Sequence, residues 1–123
     1  MRDIINTRKK GSRYEQLAAD YLIKNGYKII ARNVNTPFGE IDIIAMQEDV
    51  LVFIECKYRS SDRYGTPYDA VNSVKRQHII KSAVYYYNYH GYDRNVPCRF
   101  DVIAMYGNGS IEHIKDAFDS MGL

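Results

Sequence analysis

Three segments rich in β-branched and aromatic residues follow one another in this chain, and a segment with helical periodicity lies on either side of them. The predicted strands span Tyr27–Val34, Glu40–Met46 and Val50–Tyr58. Short polar or turn-forming sequences separate them, which favours an antiparallel meander. This order restricts the fold to the α/β class, in which helices pack on a sheet.

The two helical segments have recognisable boundaries. The first is predicted for Arg8–Asn25, where apolar residues recur at helical spacing and an Asn-Gly pair provides a C-terminal signal. The second is predicted to begin at Ser73, a good N-cap, and to end around Gly91. Its predicted apolar face consists of Ile79, Ile80, Ala83, Val84 and Tyr87. Before it, Thr66–Asp69 has the form of a capping box and predicts a short helical turn.

Two more strands are predicted near the end of the chain. They span Cys98–Tyr106 and Ser110–Ile114, and the sequence Gly107-Asn108-Gly109 between them is a strong hairpin signal. The predicted order is therefore α-β-β-β-α-β-β. Because no internal repeat, low-complexity tract or linker is visible, we expect a single domain over residues 1–123.

The composition is that of a folded protein in a reducing compartment. Hydrophobic residues make up 46% and charged residues 26% of the chain, which argues against wholesale disorder. Cys56 and Cys98 form no CxxC pair, so neither a disulfide scaffold nor a cysteine zinc site is indicated. No apolar run approaches the ~20 residues of a membrane span, and the N-terminus has no apolar core. We expect a cytoplasmic protein without a membrane partner.

Charged residues interrupt two of the predicted core strands. The run Val50–Ile54 is apolar, as in a strand buried on both faces, until Glu55 and Lys57 follow it. With a two-residue period, these two side chains share one face of the strand. Asp42 lies among isoleucines in the preceding strand, on the predicted face of Ile44. If the two strands pair as a hairpin, Asp42 and Glu55 face each other.

Two half-buried carboxylates that face each other need a cation, a shared proton or solvent. Asp42 and Glu55 would suit Mg²⁺ or Mn²⁺, together with carbonyl and water oxygens. Such a metal would bind a scissile phosphate and acidify a water, while Lys57 would orient that water or neutralise developing charge. Glu15 borders the buried face of the first helix and could reach this cluster. The alternatives are a structural ion pair of Lys57 with either carboxylate, and a solvated Glu15 near its helix start.

Together, the helical Glu15, Gly39-Glu40-Ile41-Asp42 and Glu55-Cys56-Lys57 resemble the PD-(D/E)XK nuclease arrangement. More narrowly, nearly the whole chain resembles the bacterial YraN family. The matching segments are Gly11–Ala18, Tyr21-Leu22, Gly26-Tyr27, Ala31-Arg32-Asn33, Gly39–Asp42, Phe53-Ile54-Glu55, Arg99–Val102 and His113–Phe118. No proline precedes Asp42, where Glu40-Ile41 stands instead, so the chain departs from the superfamily motif there.

The resemblance implies a restriction-endonuclease-like fold with a central mixed β-sheet flanked by helices, related to archaeal Holliday junction resolvases. It assigns the motif positions to Asp42, Glu55 and Lys57, and makes Glu15 the helical acid. Resolvase-like relatives also imply a homodimer with paired active sites.

Three basic clusters are candidates for contact with DNA phosphates, because the net charge of +2 is too small to indicate nucleic acid by itself. They lie before the first helix, directly after the motif and on the second helix. The resemblance adds a glutamine, since some superfamily members place glutamine or lysine at that position. The DNA-binding candidates are Arg13, Arg59, Arg63, Lys75 and Gln77. Each cluster alone also fits a solvated charged surface.

The sequence alone does not assign roles to its twelve tyrosines and three histidines. The tyrosines of Tyr85–Tyr92 could stack on unpaired bases, or form a core rim or a dimer contact. The histidines show no metal-ligand spacing and are interpreted as structural or solvated. Asp101 could pair with Arg99.

The leading hypothesis is a metal-dependent endonuclease that hydrolyses phosphodiester bonds in branched or structured DNA, with Mg²⁺ or Mn²⁺ as cofactor. Two alternatives remain: a catalytically silent DNA-binding module of the same fold, and a protein-interaction domain in which the charged cluster is structural.

Overall fold

Two helices cover the two faces of a five-stranded sheet. The structure is a computed structural model that describes residues 2–59, 73–92 and 95–118, with side chains described for all of these except residues 2–12 and 73. The elements are α1 (Arg2–Lys24), β1 (Lys28–Thr36), β2 (Gly39–Gln47), β3 (Val50–Arg59), α2 (Ser73–Tyr89), β4 (Cys98–Tyr106) and β5 (Ile111–Ile114). This α/β order confirms the prediction, while the helical turn predicted at Thr66–Asp69 lies outside the described residues.

The strands lie in the order β1-β2-β3-β4-β5, and β3 occupies the centre of the sheet. The β1–β2, β2–β3 and β4–β5 pairs are antiparallel, which confirms the predicted meander and the C-terminal hairpin. The β3–β4 pair is parallel and therefore needs a crossover, which contains α2. The sheet is mixed, as the family resemblance implies.

The residues of β3 divide the apolar core into two layers. Phe53 packs with residues of α2, including Ile79 and Ile80, on one face of the sheet. Val52 and Ile54 pack with residues of α1, including Leu22, on the other. Because both faces of β3 are buried, its sequence is continuously apolar up to Glu55.

Both helices differ in detail from their predictions. α1 begins at Arg2 rather than Arg8, because the residues that precede the apolar repeat are mostly acceptable helix formers and contain no proline. In α2, Ile79, Ile80 and Ala83 are buried as predicted, but Tyr86 is buried more deeply than Tyr87. The helical period explains this, since Tyr86 lies seven residues after Ile79, two full turns along the same face.

The structure contains no helix, among the residues it describes, that is long and apolar enough to cross a membrane. Cys56 and Cys98 are both free thiols.

A threonine clamp holds the β1–β2 turn against α2. The Thr36 hydroxyl lies 2.8 Å from Oγ of the fully buried Ser82 and 2.9 Å from the Gly39 carbonyl oxygen. The Phe38 amide donates to the same hydroxyl at 3.1 Å. These contacts fix where β2 begins, and β2 carries Glu40 and Asp42.

Replacing Thr36 with valine should lower the free energy of unfolding by about 1–2 kcal/mol, because buried polar groups lose their hydrogen-bond partner. Urea denaturation measures the change. Thr36→Ser, which keeps the hydroxyl, is the matched control and should stay closer to wild type. Equal stability of the valine and wild-type proteins would contradict a stabilising clamp.

Candidate active site

The backbone ladder between β2 and β3 ends just before the acidic residues. The last pair of the register is Ile43 with Ile54, and Asp42 and Glu55 are the next residues on the two strands. Beyond this pair, the Cys56 amide donates to Asp42 Oδ2 at 2.8 Å. A side-chain carboxylate thus satisfies an amide at the position where the strands separate.

The alternation of β2 breaks at the same position. Ile41 and Ile44 both pack in the α2 layer, whereas Ile43 packs in the α1 layer. Strict alternation of β2 therefore ends where its ladder with β3 ends. The Asp42 carboxylate lies beside Glu15, a residue of α1.

Three carboxylates meet at this point. Oxygen atoms of Glu15, Glu40 and Asp42 all lie within 4.8 Å of one another. Asp42 is largely buried, Glu15 is half-buried and Glu40 is exposed, so the group opens to solvent at one side. We call these three residues the carboxylate cluster.

Contacts on either side of Glu15 position α1 at the cluster. Tyr14 stacks on Tyr58 of β3, with ring centroids 4.0 Å apart and planes inclined by 24°. Gln16 Oε1 accepts a hydrogen bond from Arg32 Nη1 of β1 at 2.8 Å. The helix is therefore attached to two strands through the immediate neighbours of Glu15.

The surroundings of Asp42 disfavour the ionised form of its carboxyl group. Burial raises its pKa to about 7, with further contributions from the negative charge of Glu55, a hydrogen bond to Glu55 and the charge of Glu15. The hydrogen bond from the Cys56 amide acts in the opposite direction. A cation at this position would relieve the repulsion.

Glu55 is held by two lysines on the α2 side of the sheet. Its Oε1 lies 2.6 Å from Lys75 Nζ of α2 and 3.4 Å from Lys57 Nζ of β3. The side chain of Glu55 is buried and both lysines are partly exposed. The sequence prediction that Glu55 and Lys57 point to the same face is confirmed by this contact.

The surroundings shift the pKa values of Lys57 and Lys75 in opposite directions. Burial and the neighbouring Lys75 ammonium lower the pKa of Lys57, and Glu55 only partly offsets them. For Lys75, burial alone would lower the pKa, but its hydrogen bonds to Glu55 and Lys57 raise the pKa above its ordinary value.

The carboxylate cluster has the donor set that Mg²⁺ or Mn²⁺ prefers. These ions bind oxygen ligands at about 2.1 Å, so bound carboxylate oxygens lie roughly 3–4 Å apart, and the oxygens of the cluster lie within 4.8 Å of one another. Burial and the charges of Glu55 and Glu15 raise the pKa of Asp42, so a cation bound there would favour its ionised form. The residues present fit a divalent cation.

The cluster differs in membership from the predicted metal ligands, which were Asp42 and Glu55. Glu15 and Asp42 are brought together, and Asp42 also hydrogen-bonds to Glu55, which in turn binds Lys57 and Lys75. Glu40 was missed as a candidate ligand. Its spacing of two residues from Asp42 within a strand was the available signal, because that spacing places both side chains on one face.

The predicted DNA contacts are spread around this site. Arg13 and Gln77 are exposed on α1 and α2 respectively. Arg59 ends β3 and is half-buried, and its Nε has no hydrogen-bond partner among the described residues. Lys75 binds Glu55 as described above, and Arg63 lies outside the described residues.

A second polar cluster lies on β4, under the C-terminal part of α1. Asp101 is buried and accepts from Arg99 Nε at 2.8 Å, from the Asp116 amide at 3.0 Å and from Tyr27 Oη at 3.3 Å. His113 Nε2 lies 2.8 Å from the same carboxylate and its Nδ1 lies 3.2 Å from Tyr21 Oη. The suggested pairing of Asp101 with Arg99 is confirmed, and His113 has a structural position.

These contacts keep Asp101 ionised. Burial alone would raise its pKa, but hydrogen bonds from His113, Arg99 and the Asp116 amide outweigh burial and lower the pKa to about 2. Burial and the adjacent Asp101 carboxylate raise the pKa of Tyr27 to about 12, so that phenol stays protonated. The network joins α1, β4 and β5 through satisfied polar groups.

Fold and site together define a class of α/β proteins in which acidic residues cluster where two central strands of a mixed sheet separate. A family model described as "Uncharacterised protein family UPF0102" matches residues 14–105. This chain belongs to the UPF0102 family, which is the YraN family identified from its sequence.

Curated relatives match over most of their length. A UPF0102 protein of Thermodesulfovibrio yellowstonii is 48% identical over 88% of this chain and 94% of its own. UPF0102 proteins of Lachnoclostridium phytofermentans and Clostridioides difficile are 41% and 42% identical, over 96% and 93% of this chain and 99% and 100% of their own. Their names state no activity.

Proposed function

We propose that this protein is a metal-dependent endonuclease that hydrolyses phosphodiester bonds in branched or structured DNA. The observation that supports it most is the carboxylate cluster of Glu15, Glu40 and Asp42, beside the Glu55–Lys57 pair on the next strand. A phosphodiester is anionic and reacts slowly with water, so its hydrolysis requires charge neutralisation together with an activated water.

Glu15, Glu40 and Asp42 are the residues that would hold the metal. When bound, Mg²⁺ or Mn²⁺ supplies a Lewis acid for the phosphate and lowers the pKa of a coordinated water. The protein contributes a rigid position for the carboxylates, because Asp42 is anchored by the Cys56 amide. Glu15 is held between the Tyr14–Tyr58 and Gln16–Arg32 contacts.

We assign to Lys57 the role of orienting the attacking water. The buried Glu55 carboxylate lies 3.4 Å from the Lys57 ammonium and holds it in one direction. Lys75 neutralises Glu55 from α2, at 2.6 Å, and so lets a carboxylate remain buried next to Asp42. The same lysine is then a positioning residue as well as a candidate phosphate contact.

The Glu55–Lys75 ion pair also favours the second candidate, a silent DNA-binding module. In that case Glu55 is a structural counter-ion that joins α2 to the sheet, and the basic residues bind DNA without cleavage. The two functions predict different behaviour in one assay.

The assay uses four DNA substrates: a four-way junction, a flapped duplex, a single strand and a blunt duplex. We expect wild-type protein to cut branched or structured DNA with Mg²⁺ or Mn²⁺ and not with EDTA. Salt-sensitive binding of all four DNAs without any cleavage would favour the silent module. Failure to bind DNA at low salt would favour a protein-interaction domain.

Lys57→Ala should slow cleavage by about 10²- to 10³-fold, the usual order for loss of one preorganised charged group. Stabilisation by Mn²⁺ should be retained, because the carboxylate cluster is intact. Lys28→Ala, at an exposed lysine near the opposite end of the β1–β2 pair, is the control and should cut at the wild-type rate. Cleavage by Lys57→Ala at the wild-type rate would remove this residue from the chemistry.

A further inference from the structure

Aromatic side chains form an exposed row across the β1–β2 turn and α2. Phe38 is 45% exposed, Tyr85 38% and Tyr89 74%. Tyr85 and Tyr89 stack with ring centroids 5.7 Å apart and planes inclined by only 15°, and Phe38 contacts Tyr85 edge-on at 6.4 Å. We call these three residues the aromatic strip.

The β1–β2 turn and α2 hold the three rings of the aromatic strip in fixed positions. Phe38 follows the Thr36 clamp, and its own amide donates to Thr36. Tyr85 and Tyr89 lie four residues apart on one rigid helix, so their rings lie one above the other. Flat rings in a fixed order offer stacking surfaces at a low entropy cost.

The helix that carries Tyr85 and Tyr89 is basic. α2 contains Lys75, Arg76 and Lys81 and has no acidic residue anywhere in Ser73–Tyr89. Lys81 is exposed and lies one turn before Tyr85, on the same side of the helix. This surface therefore offers cations to the anionic groups, and exposed rings to the aromatic groups, of a polymer that carries both.

An open cavity adjoins the carboxylate cluster and includes Gly39, the chain neighbour of Phe38. The cavity has a volume of about 340 Å³ and is lined by the first residues of β2 and by the first turns of α2. Glu40, a member of the cluster, and Lys75, the partner of Glu55, are both among its lining residues. The Gly39 backbone next to Phe38 forms part of the same wall.

We propose that the aromatic strip binds unpaired bases of a DNA strand whose backbone passes over this cavity to the carboxylate cluster. The inference rests on the proposed endonuclease function and names its substrate class, DNA with a single-stranded segment next to the cut. Stacking tolerates any base sequence, because every base has an aromatic face. The cations of α2 would hold the phosphates between stacked bases.

A second copy of this chain fits the strip less well than DNA does. A twofold contact across this face would bring the lysines of two copies towards each other, and cores of protein interfaces are depleted in charge. A nucleic-acid strand instead gains from the exposed Lys81 beside the strip.

The test compares Tyr89→Ala with Tyr89→Phe, which keeps the ring, and with Asn88→Ala, an exposed neighbour without one. Affinity is measured in EDTA, at fixed low salt, for a blunt duplex and for a duplex with an unpaired flap. Since one base–aromatic stack contributes about 10-fold in affinity, Tyr89→Ala should bind the flapped DNA about 10-fold more weakly. Binding to the blunt duplex should change less than twofold, and both control variants should match wild type.

A fluorescent 2-aminopurine base in the flap provides a second readout. Its emission should fall on binding to wild type and Tyr89→Phe and fall less with Tyr89→Ala, because stacking on a ring quenches it. The chain contains no tryptophan that would interfere.

If Tyr89→Ala lost affinity equally for both DNAs, or for neither, base stacking on the aromatic strip would be overturned. Metal-dependent cleavage by wild type would in that case still support the endonuclease function. Sedimentation that shows a wild-type dimer and a Tyr89→Ala monomer, with unchanged DNA affinity, would overturn it in favour of self-association. Absence of any DNA binding by wild type would overturn both proposals together.

Discussion

Asp42→Asn should abolish metal-dependent cleavage, with a rate at least about 10³-fold below that of wild type. The amide keeps the shape of the side chain and can still accept from the Cys56 amide, but it lacks the charge that a divalent cation requires. Wild type should gain about 2–3 kcal/mol, roughly 10 °C in melting temperature, from Mn²⁺ at 100 times its dissociation constant. The variant should gain little.

The control for this prediction is Asp49→Asn, which removes an exposed carboxylate at the opposite end of the β2–β3 hairpin. It should cut DNA and respond to Mn²⁺ as wild type does. Melting curves in EDTA separate a metal site from a structural ion pair. Asp42→Asn should melt at or above the wild-type temperature, because it relieves repulsion with Glu55 and Glu15. A much lower melting temperature in EDTA, with no response of wild type to metal, would support the structural alternative.

Asp101→Asn should lower the free energy of unfolding by about 3–5 kcal/mol at neutral pH. The carboxylate is buried and binds Arg99 through both oxygens, so an amide leaves the guanidinium without its counter-ion. Chemical denaturation measures the loss, and Asp20→Asn on the exposed side of α1 is the control. A loss below about 1 kcal/mol would contradict a stabilising network.

The same network predicts a dependence of stability on acid pH. The pKa of Asp101 is about 2 in the folded protein and 3.8 for the free side chain, so the folded state favours the ionised form. Its contribution is fully present above pH 3.8 and is lost as the pH falls through about 2. Wild type should therefore lose about 2 kcal/mol more than Asp101→Asn between pH 5 and pH 2. Parallel pH profiles for the two proteins would contradict the lowered pKa.

The elements of the fold were predictable because their signals are local. Strand alternation, the hairpin glycines and the cap at Ser73 each depend on a few neighbouring residues, and β4 was predicted with its observed bounds. The meander of β1, β2 and β3 was predictable from its short connections. The burial of Tyr86 was also predictable, by counting two full helical turns from Ile79.

The candidate site was less predictable because it depends on contacts between elements. The approach of Asp42 to Glu15 follows from the break in β2 alternation, which results from the end of the ladder with β3. The partner of Glu55 on α2 could not be read from either segment, because Lys75 is distant in the chain and was assigned to DNA. Such pairings are decided by packing of α2 on the sheet.

The parallel pairing of β3 with β4 affects how the chain reaches its native state. Leu51 pairs with Cys98, far along the chain, whereas the β1–β2 and β2–β3 hairpins close over short loops. Hairpins form early and long loops close late, so one edge of the apolar β3 stays unpaired during folding. An unpaired apolar edge can add a strand from another chain. Mutations that loosen α2 from the sheet should thus reduce the yield of folded protein through aggregation during synthesis before they alter the finished molecule.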